Sequence, residues 1–316
     1  GGVRHHVQAP VYYRMGVGRK VRTRLSSSSR SLLADLSLVG ICVVWGTSFA
    51  IVKSVVGEIN PATFIAVRFG IASIILGLIA SPRLKKLDRH AWTAGLLLAV
   101  PLMAGFLTQT YGLKATTASK AGFITGMHVV FTPLLEYVFR RRRVLPYQAA
   151  GIAVALVGLG LLTLRGFGRP SVGDLLVLAC AFAFGLHIVM LGHYSPRHDG
   201  FLLSFTQMVW SAVLAALIAG RDMVQALSFG PDVVWSVAYL GAAATALAYL
   251  VQTIAQKYTP PTRAALIMQS EPVFAALFAW LLIGERMVAK QFAGAALILL
   301  GILVCQIGDI ARPREV

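Results

Sequence analysis

Acidic residues are scarce. Only 12 Asp and Glu stand against 29 Lys and Arg in 316 residues, and charged residues together make up 13% of the chain. A soluble protein carries roughly 25%, so an ordinary water-facing surface is excluded. Cysteine is equally thin. Cys42, Cys180 and Cys305 each fall inside an apolar stretch with no CxxC spacing, which leaves them as small buried residues and not a disulfide framework. There is no P-loop, no GxSxG and no HExxH, and the segments between apolar runs are too short to hold a catalytic domain. Neither an enzyme activity, nor ATP-driven work by this chain alone, nor a metal or other cofactor is expected.

Other absences narrow the class further. The first 31 residues lack an apolar core, so they do not form a secretory signal peptide. No basic groove with interleaved aromatics exists to match the net charge of +17, which argues against nucleic acid. The alternating pattern of a membrane barrel strand is missing too.

What remains is apolar. Hydrophobic residues make up 57% of the chain, with a mean hydropathy of +0.74. Ten runs of about bilayer length follow one another at approximately 32–55, 61–80, 92–113, 116–138, 146–165, 172–192, 200–219, 232–257, 262–283 and 289–309. Backbone groups in hydrocarbon must be paired within their own segment, so these runs predict helices. Residues 1–31 stand apart as a basic, serine-rich tail. They read as a disordered arm lying on anionic lipid, with an organellar transit peptide as the alternative. Residues 311–316 form a short C-terminal tail.

Charge sets the orientation. With the N-terminus inside, Arg83, Lys85, Lys86, Arg89, the run Arg140 to Arg143, Arg197, Lys257, Arg263, Arg312 and Arg314 gather on the cytoplasmic side. Lys53, Lys114, Lys120, Arg165, Arg169, Arg221, Arg286 and Lys290 fall on the other. The excess, increased by the tail, places both termini in the cytoplasm of a cell whose plasma membrane holds the protein.

The chain also repeats itself. An offset of 143 lays Trp92 on Trp235, Gln109 on Gln252, Thr110 on Thr253, Phe131 on Phe274, Gly151 on Gly294 and Gly158 on Gly301. An offset of 139 lays Gly46 on Gly185. The implied units are 32–165 and 166–310, each with five spans. Five is odd, so the second unit enters the membrane from the other face, giving an inverted repeat. The expected fold is an all-α integral membrane protein of ten transmembrane helices built as two inverted five-helix repeats. Such halves place a substrate site between them near the midplane.

Polar residues inside the spans are the candidates for that site. Glu271 and Pro272 interrupt "ALIMQSEPVFAALF". A carboxylate at that depth either takes up a proton or finds a cationic partner, and Pro272 frees the Met268 carbonyl, so the pair reads as a polar hinge. His128 overlays Glu271 at the 143 offset and is a second candidate for a proton or substrate contact. Arg68, inside the second span, is a counter-charge to Glu271 or to an anionic substrate group; snorkelling to the interface is the alternative. His187, Gln207, Gln109 and Gln252 are candidates of the same kind, with interhelical hydrogen bonds as their structural reading. Trp45 and Ser48, beside Gly46 and Thr47, form a polar spot in the first span, where hydroxyls also bond back to their own helix. Glu136 beside Arg140 reads as a local ion pair.

These residues carry a family resemblance. "WGTSFAIVK" in the first span, "AVRFG" in the second, "TASKAGFITGMHVVFTPLLE" in the fourth and "EPVFAALFAWLLIGE" in the ninth resemble the EamA-type ten-helix members of the drug/metabolite transporter superfamily. The resemblance covers about 35–309. It implies a secondary transporter, often an exporter of amino acids or other metabolites, and places Trp45, Arg68 and Glu271 on motif positions. His128 and His187 match no motif of the family. The expected partners are a small-molecule substrate, membrane lipid, and a coupling proton or counter-substrate, with a homodimer left open. The alternatives are an intramembrane lipid-processing enzyme using Glu271, His128 and Arg68, a non-transporting scaffold or receptor, and a channel.

Overall fold

The computed structural model describes residues 27–55, 59–116, 118–164, 171–283 and 288–311. The helices are α1 (Ser27–Val55), α2 (Pro61–Ala80), α3 (Arg89–Ala115), α4 (Ala118–Gly126), α5 (His128–Arg140), α6 (Pro146–Thr163) and α7 (Val172–Tyr194). They continue as α8 (Gly200–Ala219), α9 (Pro231–Gly241), α10 (Ala248–Ala255), α11 (Pro261–Met268), α12 (Glu271–Ile283) and α13 (Ala289–Ala311). Short 3₁₀ turns follow α2, α7 and α8. Nine segments among the described residues are long and apolar enough to cross a membrane. The tenth expected span, 262–283, is broken into α11 and α12, neither of which reaches that length alone.

The first helix begins at Ser27, within the stretch expected as tail. Residues 1–26, the boundary at 165–166, the loop cations Arg165, Arg169 and Arg286, and the C-terminal residues 312–316 lie outside the described residues.

Local chemistry starts and stops the helices. Asn60 accepts from the amides of Ala62 at 2.8 Å and Thr63 at 3.4 Å, and Pro61 occupies the first turn of α2, where a missing N–H costs nothing. Asp199 caps α8 in the same way, at the 139 offset from Asn60. Ser171 and Asp174 form a reciprocal capping box on α7, through the Asp174 amide at 3.1 Å and the Ser171 amide at 2.9 Å. Two spans bend for different reasons. Between α9 and α10 the helix widens into a π-helical stretch, Ala242–Leu247. Between α4 and α5 the chain breaks at Met127, which the sequence reads as uninterrupted.

Packing makes the two halves equivalent. α6 lies antiparallel against α13. A Cβ on Gly158 would stand 2.6 Å from the Gly294 carbonyl, and one on Gly151 would stand 2.7 Å from the Gly301 carbonyl. The 143 offset exchanges these two contacts. Likewise, a Cβ on Gly46 of α1 would stand 2.9 Å from the Ala275 amide of α12. One on Gly185 of α7 would stand 3.3 Å from the Thr132 amide of α5. Contacts that map onto each other in this way are those of an internal two-fold relating two halves that run in opposite directions. Small residues permit them, since helix association in lipid relies on close backbone approach.

Arg263 pairs with both Asp35 of α1 and Asp309 of α13, so the two described ends share one face, called here the terminal face. The outer surface is apolar, with Leu36, Ile74, Leu78, Leu217 and Ile307 exposed. A soluble monomer rarely carries so continuous an apolar surface; lipid is its natural solvent. Cys42, Cys180 and Cys305 are free and buried, as expected.

Candidate functional site

A cavity of about 100 Å³ sits between the halves, walled by α1, α2, α3, α4, α5, α7, α10, α11 and α12. By the measure in which one water needs about 10–15 Å³, it holds several waters or a small polar group. Its wall includes Trp45, Ser48, Arg68, Gln109, His128, His187, Gln252 and Glu271, eight of the residues singled out by sequence. Gln207 and Pro272 are not part of it.

The wall is assembled from repeat counterparts. The 139 offset relates Trp45 to Phe184 and Ser48 to His187; the 143 offset relates Phe106 to Tyr249, Gln109 to Gln252, Thr125 to Met268 and His128 to Glu271. Glutamine recurs at Gln109 and Gln252 and aromatics recur at the Trp45 and Phe106 positions, but the chemistry differs at Ser48 and His187, Thr125 and Met268, and His128 and Glu271. The scaffold is therefore symmetric and the ligand groups are not.

Arg68 is 4% exposed, so it does not snorkel to the interface. It does not pair with Glu271 either. Its Nε donates to Thr245 Oγ1 at 2.6 Å, an Nη reaches the Ala244 carbonyl at 3.5 Å, and the guanidinium stands 4.9 Å from the centre of the Phe106 ring. The π-helical stretch explains this arrangement. Its altered hydrogen-bond ladder presents the Ala244 carbonyl sideways, where Trp45 Nε1 also donates to it at 2.9 Å. The remaining guanidinium N–H groups are available to a ligand.

Glu271 is the first residue of α12, and His128 is the first of α5. Both stand where a span has been broken, so each faces the positive end of a half-helix. The hinge is set two residues earlier than Pro272: Gln269 and Ser270 make tight bonds to Leu266 and Ile267, and α12 then starts afresh. Pro272 does leave the Met268 carbonyl without its helical donor, and the Cys42 thiol lies 3.8 Å from it. Among the described residues no hydrogen bond or ion pair reaches the Glu271 carboxyl. Its only constraints are the cavity and the helix end.

The histidines are held by the protein. His128 Nδ1 donates to the Thr125 carbonyl at 2.9 Å, and Nε2 is buried against the Ala265 backbone without a close hydrogen bond. His187 is fixed by a relay: Thr253 donates to the Tyr249 carbonyl at 2.7 Å, Gln207 Nε2 donates to Thr253 Oγ1 at 3.1 Å, and Gln207 Oε1 faces His187 Nε2 at 3.1 Å. Because that oxygen can only accept, His187 Nε2 is the donor. Gln207 thus stands behind the wall and orients His187, which corrects its expected place in the pathway. It is also the 139 counterpart of Arg68.

Other expectations resolve locally. Gln109 bonds Thr125 of α4 at 3.2 Å, while Gln252 bonds Gln256 at 3.2 Å and leaves its own oxygen unpaired. Ser48 and Thr47 both bond back to Val44, at 3.5 and 2.7 Å. Glu136 pairs with Arg140 at 3.8 Å and accepts from Thr262 at 2.8 Å. Sequence reading missed Thr245, Phe106 and Tyr249. The first is one hydroxyl in an alanine-rich run, and the aromatics look like ordinary apolar residues until the offset pairs them. Among the described residues no group of His, Cys, Asp and Glu could hold a metal ion.

Mirrored five-helix halves around a central cavity lined by polar and aromatic side chains define a membrane transporter architecture. The chain belongs to the EamA-like transporter family, whose model matches residues 32–164 and 171–306, and so to the EamA-type branch of the drug/metabolite transporters. An uncharacterized transporter of Archaeoglobus fulgidus is 32% identical over 275 residues, covering 87% of this chain and 86% of that protein. A probable amino-acid metabolite efflux pump of Salmonella typhimurium is 26% identical over 295 residues, covering 86% and 94%. One crystal structure aligns with a TM-score of 0.74 at 20% identity, over 91% of this chain and 100% of that one, and supports the fold alone.

Proposed function

We propose that this protein is a secondary exporter of small metabolites of the amino-acid type, working by alternating access across the plasma membrane with both termini in the cytoplasm. The observation that carries the reading is the content of the cavity. Arg68 offers a cation on one part of the wall, while the Glu271 carboxyl offers an acceptor on another. A zwitterion supplies the matching carboxylate and ammonium. Trp45, Phe106, Phe184 and Tyr249 would cover its apolar part. The relatives named as probable amino-acid metabolite efflux pumps support the same substrate class.

Glu271 is the proposed proton-linked group. With no protein partner, its charge must be answered by substrate or by a proton on each cycle. A lipid-processing enzyme is disfavoured because the three groups it would use line a central cavity walled by nine helices and not a headgroup-level cleft. Purified protein in proteoliposomes should show saturable counterflow of a labelled compound from a panel of amino acids and analogues. Absence of counterflow across the whole panel would overturn the substrate assignment. Reporter fusions at both ends should place the termini inside.

A further inference from the structure

Two polar clusters stand outside the cavity, one near each membrane face. At the terminal face, Asp35 of α1 accepts from Thr259 at 2.8 Å and pairs closely with Arg263 of α11. At the far face, Asp174 of α7 accepts a close hydrogen bond from Thr116 and pairs with Lys120 of α4 at 3.3 Å. The clusters are one arrangement occurring twice. Asp174 lies at the 139 offset from Asp35, and Thr259 and Arg263 lie at the 143 offset from Thr116 and Lys120.

We propose that these threonine–cation–aspartate triads are mirrored latches that open in turn, and so decide the face from which the central cavity is reached. Each latch ties together two helical spans that wall the cavity. α1 carries Trp45 and Ser48, and α11 leads into Met268 and Glu271; α7 carries Phe184 and His187, and α4 leads into Thr125 and His128. Parting α1 from α11 at the terminal face uncovers the cavity there. Parting α7 from α4 uncovers it at the far face. The close approaches at Gly46 and Gly185 hold the same neighbouring spans together at mid-depth, so separation is confined to the ends.

The latches are not equal. Arg263 is shared with a second carboxylate, Asp309, at 3.4 Å, which itself accepts from Tyr147 at 2.6 Å. The Asp35 and Arg263 side chains are 2% and 12% exposed, against 14% and 19% for Asp174 and Lys120.

This inference rests on the alternating-access reading, but its test needs no substrate. In a background with Cys42, Cys180 and Cys305 replaced, Ser48→Cys reports cavity access through a membrane-impermeant maleimide applied to one face of oriented vesicles. Asp174→Asn should raise labelling several-fold from the far face and lower it from the terminal face; Asp35→Asn should do the reverse. Unchanged labelling, or a shift in the same direction for both variants, would overturn the latches. Should these variants fail to fold, Thr116→Val and Thr259→Val loosen each latch without stranding a charge and must give the same opposed shifts, or the proposal fails. Opposed shifts without any counterflow would count only against the substrate class. Counterflow without shifts would count only against the latches.

Discussion

The side-chain amide of Gln269 donates to the backbone carbonyl of Gly126, its own counterpart 143 positions earlier in the chain. The bond joins the two broken spans at the points where they break. It places both half-helix starts, and so both His128 and Glu271, on either side of the internal two-fold. Gly126 is required for the approach, since a Cβ there would stand 3.1 Å from Gln269 Oε1 and collide with Leu159.

Replacing this amide by a thioether of similar volume isolates the bond. Gln269→Met leaves the Gly126 carbonyl unpaired in the interior and should cost about 1–3 kcal/mol. A lowered melting temperature in detergent is expected; an unchanged one would mean that water or a neighbour replaces the amide.

Thr245 is the main anchor of Arg68 within the protein. Thr245→Val keeps the shape and removes the hydroxyl, a contact to a charged group worth roughly 1.5–3 kcal/mol. The concentration for half-maximal counterflow should rise about tenfold or more, with little change in expression. Arg68→Lys should do at least as much harm, because an ammonium cannot make the planar, forked contacts of a guanidinium.

Glu271→Gln retains size and hydrogen-bonding capacity while abolishing the charge change. Flux should fall and lose its dependence on pH. Counterflow with the parent's pH profile would remove Glu271 from the coupling mechanism.

The glycines divide into two groups with opposite predictions. Gly158→Val drives its branches into the Gly294 carbonyl and the Ile298 amide, 2.6 and 2.7 Å from where its Cβ must go, and should destabilise by about 1–3 kcal/mol. Gly40 and Gly70 have nothing within 4 Å of an added Cβ. Alanine at either should stabilise by about 0.5–1 kcal/mol through helix propensity alone. Thermal unfolding of the solubilised protein separates the two cases.

The architecture was legible from the sequence because it depends on gross quantities: apolar length, the parity of five spans, and one offset sustained over helices three to five. Most of the cavity was legible too, since a polar residue at mid-span has few places to go besides a shared interior. The breaks at Met127 and Gln269 were not. They arise where the two spans cross, a tertiary event that leaves no mark in an apolar run apart from Pro272, three residues late. The widened turn at 242–247 is equally silent, as "AAATAL" is compatible with an ordinary helix. Gln207 was misplaced because its type predicts a polar partner but not the side on which that partner lies. Asp35 and Asp174 were not singled out; only their shared neighbours reveal them as one motif.

The paired glycine contacts between α6 and α13 bear on how the halves can shift relative to each other. One contact lies on each side of the internal axis, so a tilt that loosens Gly151 against Gly301 tightens Gly158 against Gly294 by the same amount. Under the proposed alternating access, such a seam would serve as a fulcrum shared by both end positions.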